Sequence, residues 1–159
     1  MIGIISDTHE NIAAINRAIR RFSEFDLDFL VHCGDIISPP VLRVFEGFAL
    51  RVVFGNNDGE REGLQTVANE LGFGEITDEL IFQHLGKSFY VYHGTRSKTL
   101  NDAIATQKYD YVLTGHTHRQ RNELIGKTKV INPGALFSAP LYSVALLDPT
   151  NDWVEFLEI

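Results

Sequence analysis

The first third of the chain alternates short apolar runs with an amphipathic stretch. The apolar runs have the length of buried strands and cover Met1–Ser6, Leu27–Cys33 and Leu50–Phe54. Between the first two runs, apolar residues recur at the spacing of one helix face, at Ile12, Ile15, Ile19 and Phe22. A strand, a helix and a strand in this order predict a parallel βαβ unit.

Later in the chain, paired apolar runs become the main pattern. Three predicted hairpins have their arms at Leu80–Gln83 and Ser88–Tyr92, within Glu123–Ile131, and at Tyr142–Asp148 and Trp153–Ile159. A further strand is predicted over Tyr109–Thr114, and short helices are predicted over Pro39–Glu46, Leu64–Leu71 and Leu100–Ala105. No linker or low-complexity segment interrupts residues 1–159, so we expect one α/β domain with two packed sheets and flanking helices.

Composition and charge narrow the classes of function. The formal net charge of -7 argues against a protein that wraps a nucleic-acid backbone, which needs a basic face, but it allows a small phosphate ester. Cys33 is the only cysteine, so the fold has no internal disulfide. No apolar stretch approaches the ~20 residues that span a bilayer, and the first strand leaves no room for a signal peptide. We therefore expect a cytoplasmic protein.

Residues with hard oxygen or imidazole groups follow most of the predicted strands. They are Asp7, His9, Asp35, Asn56, His93, His116 and His118. Ligands of open α/β sheets bind at the carboxyl ends of strands, and carboxylate with imidazole suits ions such as Mn, Fe, Co, Ni and Zn. These ligands exceed the needs of one catalytic ion. A pair of ions about 3.5–4 Å apart that shares one carboxylate uses them all, and Asp35 is the expected bridging residue.

Other roles are open to several of these residues. Asp7 and His9 directly precede a predicted helix, so they are also placed to cap it. The run from Gly55 to Gly59 is also typical of a plain turn. Of the two remaining histidines, His32 lies inside a predicted strand and is expected to be a hydrogen-bonded core residue. His84 lies at a hairpin turn and is expected to be in solvent.

Five blocks of these residues resemble, in order, the signature of the calcineurin-like metallophosphoesterases. The blocks are Asp7-x-His9, Gly34-Asp35, Gly55-Asn56, His93-Gly94 and Gly115-His116-Thr117-His118. The small size and the segment Asn132-Pro133-Gly134 resemble the YfcE-like branch, which consists of compact phosphodiesterases of bacteria and archaea. The resemblance implies a two-sheet β-sandwich with helices on both outer faces, formed as one domain by residues 1–159.

The same resemblance implies a ligand set for each of two divalent ions, with Mn foremost and Ni, Co, Fe or Zn as alternatives. The first ion would be held by Asp7, His9, Asp35 and His118, and the second by Asp35, Asn56, His93 and His116. Asp35, Asn56, His93 and His116 would also be the catalytic residues. A hydroxide that bridges the ions would attack the phosphorus of a small phosphodiester.

The chain departs from the family pattern after its third predicted strand. The common block is Gly-Asn-His-Glu or Gly-Asn-His-Asp, and its histidine is thought to protonate the leaving group. Here the block is Gly55-Asn56-Asn57-Asp58, and an amide cannot act as a general acid. We expect Asn57 to contact the substrate. Arg96 and Arg119 follow His93 and His118 closely, so at least one is expected to bind the substrate phosphate, the alternative being an exposed surface arginine.

Three other functions compete with a phosphodiesterase. One eukaryotic retromer subunit has this fold and works mainly as a protein-binding scaffold, but a decayed metal site should have lost at least one histidine. A phosphomonoesterase or a nucleotide pyrophosphatase would use the same ligands, because loop shape sets specificity. A purely structural metal site tends to be closed and saturated, whereas the predicted set is asymmetric. The pattern leaves open whether the protein is a monomer or a homo-oligomer.

Overall fold

The computed structural model describes residues 1–159. In chain order its elements are β1 (Ile2–Ile5), α1 (Ile12–Phe22), β2 (Phe29–His32), α2 (Pro39–Arg43), β3 (Leu50–Val52), α3 (Arg61–Leu71), β4 (Glu79–His84), β5 (Lys87–Tyr92), α4 (Ser97–Ala105), β6 (Tyr111–Leu113), β7 (Gln120–Ile125), β8 (Thr128–Pro133), β9 (Ser143–Asp148) and β10 (Trp153–Glu158). Every predicted strand and helix is present, and no boundary differs from its prediction by more than three residues.

The strands form two mixed sheets of five strands each. The first sheet has the order β10-β9-β1-β2-β3, and the second has the order β4-β5-β6-β8-β7. The predicted βαβ unit is confirmed, because β1, β2 and β3 pair in parallel. In the second sheet β5, β6 and β8 are parallel, and each sheet has a hairpin strand at an edge.

Three apolar layers hold the sheets and helices together. Ile4, Val31 and Leu113 belong to the layer between the two sheets. The outer face of the first sheet packs against α1, α2 and α3 through a larger cluster that includes Ile15. The outer face of the second sheet is covered by α4, whose Ile104 is buried with aromatic and β-branched strand residues. The expected two-sheet sandwich with helices on both outer faces is therefore confirmed.

The parallel strands of both sheets deliver their loops to one end of the sandwich. In the first sheet, β1, β2 and β3 run into the segments that carry Asp7, Asp35 and Asn56. In the second sheet, β5 and β6 run into His93 and His116. Parallel strands end at the same edge, so the topology gathers the polar segments. None of the four helices combines the length and the apolar character that crossing a bilayer requires.

The expectation that His84 lies in solvent is wrong. Its side chain is 20% exposed, and its Nε2 lies 3.0 Å from Asp28 Oδ2, which also accepts a hydrogen bond from the amino group of Met1 at 3.0 Å. The His84 ring also packs edge-on against Phe29, with 5.0 Å between ring centroids. The hairpin folds this histidine back onto the first sheet, which sequence spacing alone did not indicate.

Candidate metal centre

Backbone hydrogen bonds join neighbouring polar segments within each sheet. The N–H groups of Asp7 and His9 donate to the carbonyls of Gly34 and Asp35 at 3.1 and 3.0 Å. In the second sheet, the N–H of Gly115 donates to the carbonyl of His93 at 2.9 Å. The backbone therefore holds the segments after β1 and β2 together, and likewise those after β5 and β6.

Several predicted ligands have a left-handed backbone that side chains other than glycine rarely adopt. The φ angles are 51° at Asp7, 44° at His9, 60° at Asp35, 67° at His116 and 55° at His118. This conformation costs roughly 1–2 kcal/mol per residue, and such residues cluster at functional sites. The concentration of five of them here favours a site selected for function over plain helix caps.

Two glycines allow the segments to approach closely. A Cβ atom at Gly55 would lie 2.1 Å from Asp35 Oδ1, and one at Gly115 would lie 1.9 Å from Ser6 Oγ and 2.7 Å from Asp7 Oδ2. All three distances are far below a van der Waals contact. Any side chain at either position would displace the carboxylates of Asp7 or Asp35.

Protein hydrogen bonds orient the two buried carboxylates. Asp7 Oδ2 accepts from the Ser6 hydroxyl at 2.6 Å and from the His116 N–H at 3.0 Å, which leaves Oδ1 without a donor. Asp35 accepts from Asn57 twice, at 2.9 Å from its N–H to Oδ1 and at 2.7 Å from its side-chain amide to Oδ2. Both carboxylates are thus held in fixed orientations by neighbouring loops.

Two imidazoles are oriented in the way that is usual for metal-bound histidines. Nδ1 of His93 lies 2.7 Å from the Cys33 carbonyl, and Nδ1 of His118 lies 3.2 Å from the Ser138 carbonyl. Since a carbonyl only accepts, each Nδ1 carries a proton and donates it. The other nitrogen, Nε2, is then available as a ligand atom, and this partner arrangement is nearly universal at metal sites.

The ligand atoms of both sheets converge on a small buried space. His93 Nε2 lies 3.4 Å from Asp35 Oδ2 and 3.8 Å from Asp7 Oδ1. His118 Nε2 lies 3.1 Å from Asp7 Oδ1, and His9 Nε2 lies 3.6 Å from Asp35 Oδ2. These distances place carboxylate oxygens and imidazole nitrogens around common points, where a cation would be close to all of them.

Three buried polar atoms at this convergence have no hydrogen-bond partner, namely Asp7 Oδ1, His9 Nε2 and His93 Nε2. Buried polar atoms are nearly always paired, so a cluster of unpaired ones needs an explanation. An oxygen and imidazole nitrogens directed at one another are the donor set of a borderline transition metal. The residues present therefore fit a metal ion.

Two groups of residues could each hold a metal ion, because within each group the candidate ligand atoms all lie within 4.8 Å of one another. The first group, Asp7 with His9 and His118, contains three of the four residues of the first predicted ligand set and lacks Asp35. The second group combines Asp35 and His93 with Asp7, which the prediction assigned to the first ion only. Asp7 therefore lies near a histidine of each predicted set, His118 and His93, just as Asp35 lies near His9 and His93.

The remaining predicted ligands lie at the rim. The His116 ring packs edge-on against His93, with 5.2 Å between centroids, and is exposed. Asn56 is also exposed, and its Oδ1 accepts a hydrogen bond from the Thr95 hydroxyl at 3.3 Å. Their assignment as ligands of the second ion stays a prediction.

Burial and neighbouring charge act in opposite directions on the site. Burial raises the pKa of Asp35, but its contacts with His93 and Asn57 outweigh burial and hold this pKa below its usual range. Burial lowers the pKa of His93, yet the carboxylates of Asp35 and Asp7 leave it raised. Burial dominates at His9 and lowers its pKa. The carboxylate of Asp35 is therefore ionised at neutral pH, as a metal ligand must be.

His32 is a hydrogen-bonded core residue, as predicted. The N–H of Gly34 donates to its Nδ1 at 3.2 Å, so Nε2 carries the proton and donates to the Thr8 hydroxyl oxygen at 3.0 Å. Burial lowers the pKa of His32 to about 3, so the ring is neutral. It supports the loops that carry Asp7 and Asp35 from beneath.

Asp58 is a residue of this site that the sequence analysis did not assign. Its buried carboxylate accepts four backbone hydrogen bonds, from Ile36 and Ile37 on Oδ1 and from Asp35 and Gly55 on Oδ2, at 2.7–3.0 Å. It therefore holds the loop after β2 against the loop after β3. Its position two residues after Asn56, in a glycine-flanked block, was the signal available in the sequence.

Replacing Asp58 with asparagine is expected to lower the free energy of unfolding by about 2 kcal/mol or more, because an amide leaves two of these buried N–H groups without an acceptor. Urea denaturation of the metal-free protein measures this loss. Asp110→Asn is the matched control, since Asp110 accepts a single backbone N–H, from Ser88, at a partly exposed position. Equal midpoints for both variants would contradict the role of Asp58.

Phe137 and Asn132 also contribute to the site. The Phe137 ring stacks on His9 with 4.3 Å between centroids, although the side chain is 42% exposed.

The amide of Asn132 donates to the Gly115 carbonyl at 2.7 Å and to the Thr117 hydroxyl at 3.1 Å. Asn132 thus fixes the loop that carries the last two histidines, which accounts for the Asn-Pro-Gly segment.

The two predicted phosphate-binding arginines lie on opposite sides of the centre. Arg96 directly precedes α4 and lines a cavity together with Asn56. Arg119 lines a more open depression together with His116 and His118. Asn57, the third predicted substrate contact, directs its amide at Asp35, so it orients a ligand, and substrate contact by this side chain stays a prediction.

Comparison with protein families and known proteins agrees with this geometry. Residues 1–152 match the model of the calcineurin-like phosphoesterase superfamily domain. The phosphodiesterase MJ0936 of Methanocaldococcus jannaschii is 36% identical over 136 residues, which cover 84% of this chain and 82% of that protein.

Solved structures have the same architecture. An archaeal phosphodiesterase superposes with a TM-score of 0.93 at 31% sequence identity, covering 99% of both chains. The phosphoesterase YfcE of E. coli superposes with a TM-score of 0.72 at 19% identity, covering 99% of this chain and 98% of that one, which is a likeness of fold.

Proposed function

The chain belongs to the calcineurin-like phosphoesterase superfamily, and we propose that it hydrolyses a small phosphodiester at a centre of two divalent metal ions. The observation that carries the proposal is the convergence of unpaired buried ligand atoms from Asp7, His9 and His93. Manganese is the proposed ion, with nickel, cobalt, iron or zinc as alternatives of similar ligand preference.

In the proposed centre, Asp7, His9, Asp35 and His118 hold the first ion, and Asp35, Asn56, His93 and His116 hold the second. Asp35 is the proposed bridging ligand. This is supported by its Oδ2, which faces a histidine of each set, at 3.6 Å for His9 and 3.4 Å for His93. Asp7 lies between His118 and His93 in a similar way, so a second shared carboxylate is compatible with the geometry.

Bound ions would supply an acidified water as the nucleophile and positive charge for the phosphoryl oxygens. The chain itself fixes the ligand atoms through Ser6, Asn57 and the carbonyls behind His93 and His118. Arg96 and Arg119 flank the centre and are the proposed contacts to the substrate phosphate. A planar guanidinium matches the two oxygens of a diester.

The chain has no evident acid for the leaving oxygen, because the amide of Asn57 stands where the family often has histidine. We therefore expect the rate to fall steeply as the pKa of the leaving alcohol rises, so that aryl diesters react far faster than alkyl diesters. Asn57→Ala should weaken metal binding or activity by ~10–100-fold, as loss of a ligand-orienting partner usually does, without changing this dependence. A flat dependence in the unchanged protein, with chemistry rate-limiting, would reveal another proton donor.

A protein-binding scaffold is the alternative from another class. All seven predicted ligand positions carry a competent ligand residue, and the backbone is strained at Asp7, His9, Asp35, His116 and His118. Both features favour an enzyme, since a scaffold gains nothing from either. Between enzymes, a phosphomonoesterase or a nucleotide pyrophosphatase would use the same residues.

Paired substrates test the proposed function. With manganese present, we expect bis(p-nitrophenyl) phosphate to be hydrolysed with a kcat/KM at least about 10-fold above that of p-nitrophenyl phosphate. The leaving group is the same, so the comparison reports whether the site prefers a diester monoanion or a monoester, which carries one more negative charge. A higher value for the monoester would assign a phosphomonoesterase, and no turnover of either would favour the scaffold.

A further inference from the structure

A polar cavity of about 260 Å³ adjoins the proposed metal centre. It lies beside the carboxyl ends of β3 and β5, and its wall includes Phe54, Asn56 and Tyr92. Because Asn56 is both a proposed ligand and part of the cavity wall, the cavity is placed to receive an ester arm of a phosphate held at the centre. The volume is below that of pockets for drug-sized ligands and suits a group about as large as one sugar ring.

One wall of the cavity is a fixed cation. The guanidinium of Arg61 lies 4.4 Å above the centre of the Phe54 ring, and its Nη2 forms an ion pair with Asp78 Oδ1 at 2.8 Å. These two contacts orient the group, yet 48% of the Arg61 side chain stays exposed. A guanidinium has five N–H donors, so it can still donate to a bound molecule.

The facing wall adds further donors and acceptors. The Tyr92 hydroxyl accepts from the N–H of Arg96 at 3.0 Å and so fixes the start of α4, while the Arg96 side chain has no carboxylate within 4 Å. Thr99 and Glu79 complete the polar lining. The cavity thus offers two guanidinium groups, two carboxylates and hydroxyls around a small space.

We propose that this cavity binds one ester arm of the substrate and that the arm is rich in hydroxyl groups, as in a sugar or a polyol. Hydroxyls donate and accept, so they satisfy the arginines and the carboxylates together. An apolar arm would desolvate these charges without replacing their hydrogen bonds. A purely anionic arm would face Asp78 and Glu79 as well as Arg61 and Arg96. The inference rests on the proposed function, since it names the substrate class of that centre.

Two diesters with the same p-nitrophenyl leaving group test the proposal. Their second arms are butyl and 3,4-dihydroxybutyl, which differ only in two hydroxyls, neither of them on the carbon next to the ester carbon, where it could itself attack the phosphorus. With manganese present, we expect kcat/KM to be about 10-fold higher for the dihydroxybutyl diester, because each new hydrogen bond contributes about 2- to 10-fold. Arg61→Met removes the guanidinium donors but keeps an apolar side chain over Phe54, and it should reduce this ratio at least about threefold.

Arg21→Met is the matched control, because Arg21 lies on α1, outside the cavity, and is ion-paired with Glu24, which follows that helix. The ratio of the two kcat/KM values in this variant should equal that of the unchanged protein. Asp78→Asn removes an acceptor and the partner of Arg61, so it provides a second test should Arg61→Met fold poorly. Equal kcat/KM for both diesters, or an unchanged ratio in these cavity variants, would overturn the cavity proposal alone. Failure to hydrolyse the butyl diester would instead overturn the proposed function, and the cavity proposal with it.

Discussion

Asp35→Ala is expected to abolish most of the diester hydrolysis, with a loss larger than the ~10–100-fold that follows removal of a ligand-orienting partner. The Asp35 carboxylate faces histidines of both proposed ligand sets and is 1% exposed, so no water replaces it readily. Removing it would leave both ions short of a ligand. The measurements are kcat/KM with a p-nitrophenyl diester and bound metal by elemental analysis.

Two comparisons separate this role from a structural one. Asp28→Ala removes a carboxylate that also contacts a histidine, His84, but lies outside the ligand cluster, and it should retain activity and metal. Asp35→Asn keeps the size of the side chain and should still lose activity. If Asp35→Ala keeps its metal content and its rate, the bridging assignment is wrong. If it loses only stability, Asp35 serves as a turn carboxylate.

Chelation is expected to reduce hydrolysis to the uncatalysed background, and addition of a divalent transition metal should restore it. The reason is that the chain offers no other activated nucleophile at the site, where the polar atoms face one another as ligands would. Manganese, nickel, cobalt, zinc and magnesium should be added back separately, because the ligand set favours borderline metals over magnesium. Full activity in the chelator would contradict the two-metal mechanism.

Metal binding should also be visible without any turnover. An ion that binds only the folded protein stabilises it by about 2.7 kcal/mol at 100 times its dissociation constant. Thermal unfolding of the chelated protein should therefore shift upward when the metal is added. Asp35→Ala should lose most of this shift, whereas Asp28→Ala should keep it, which ties the stabilisation to the proposed centre.

The strands, the helices and the kind of chemistry were predictable from the sequence. Apolar runs and the spacing around Ile15 are local signals, because burial on one face imposes a period of two or 3.6 residues on neighbouring positions. Ligand residues beside glycines, as at Asp35 and His93, mark strand ends for a similar local reason. Parallel strands end at the same edge of a sheet, so these signals were sufficient to predict that the candidate ligands gather at one end of the fold and form a metal centre there.

The partners of those residues were decided only by the tertiary structure. Asn57, an expected substrate contact, also donates hydrogen bonds that orient Asp35, and Asp58 accepts hydrogen bonds that join two loops. His84 contacts Asp28, which is 56 positions away in the sequence, and Arg61 lines a cavity together with Arg96. Such contacts depend on how distant strands and loops pack against one another, and no pattern of neighbouring residues encodes that arrangement.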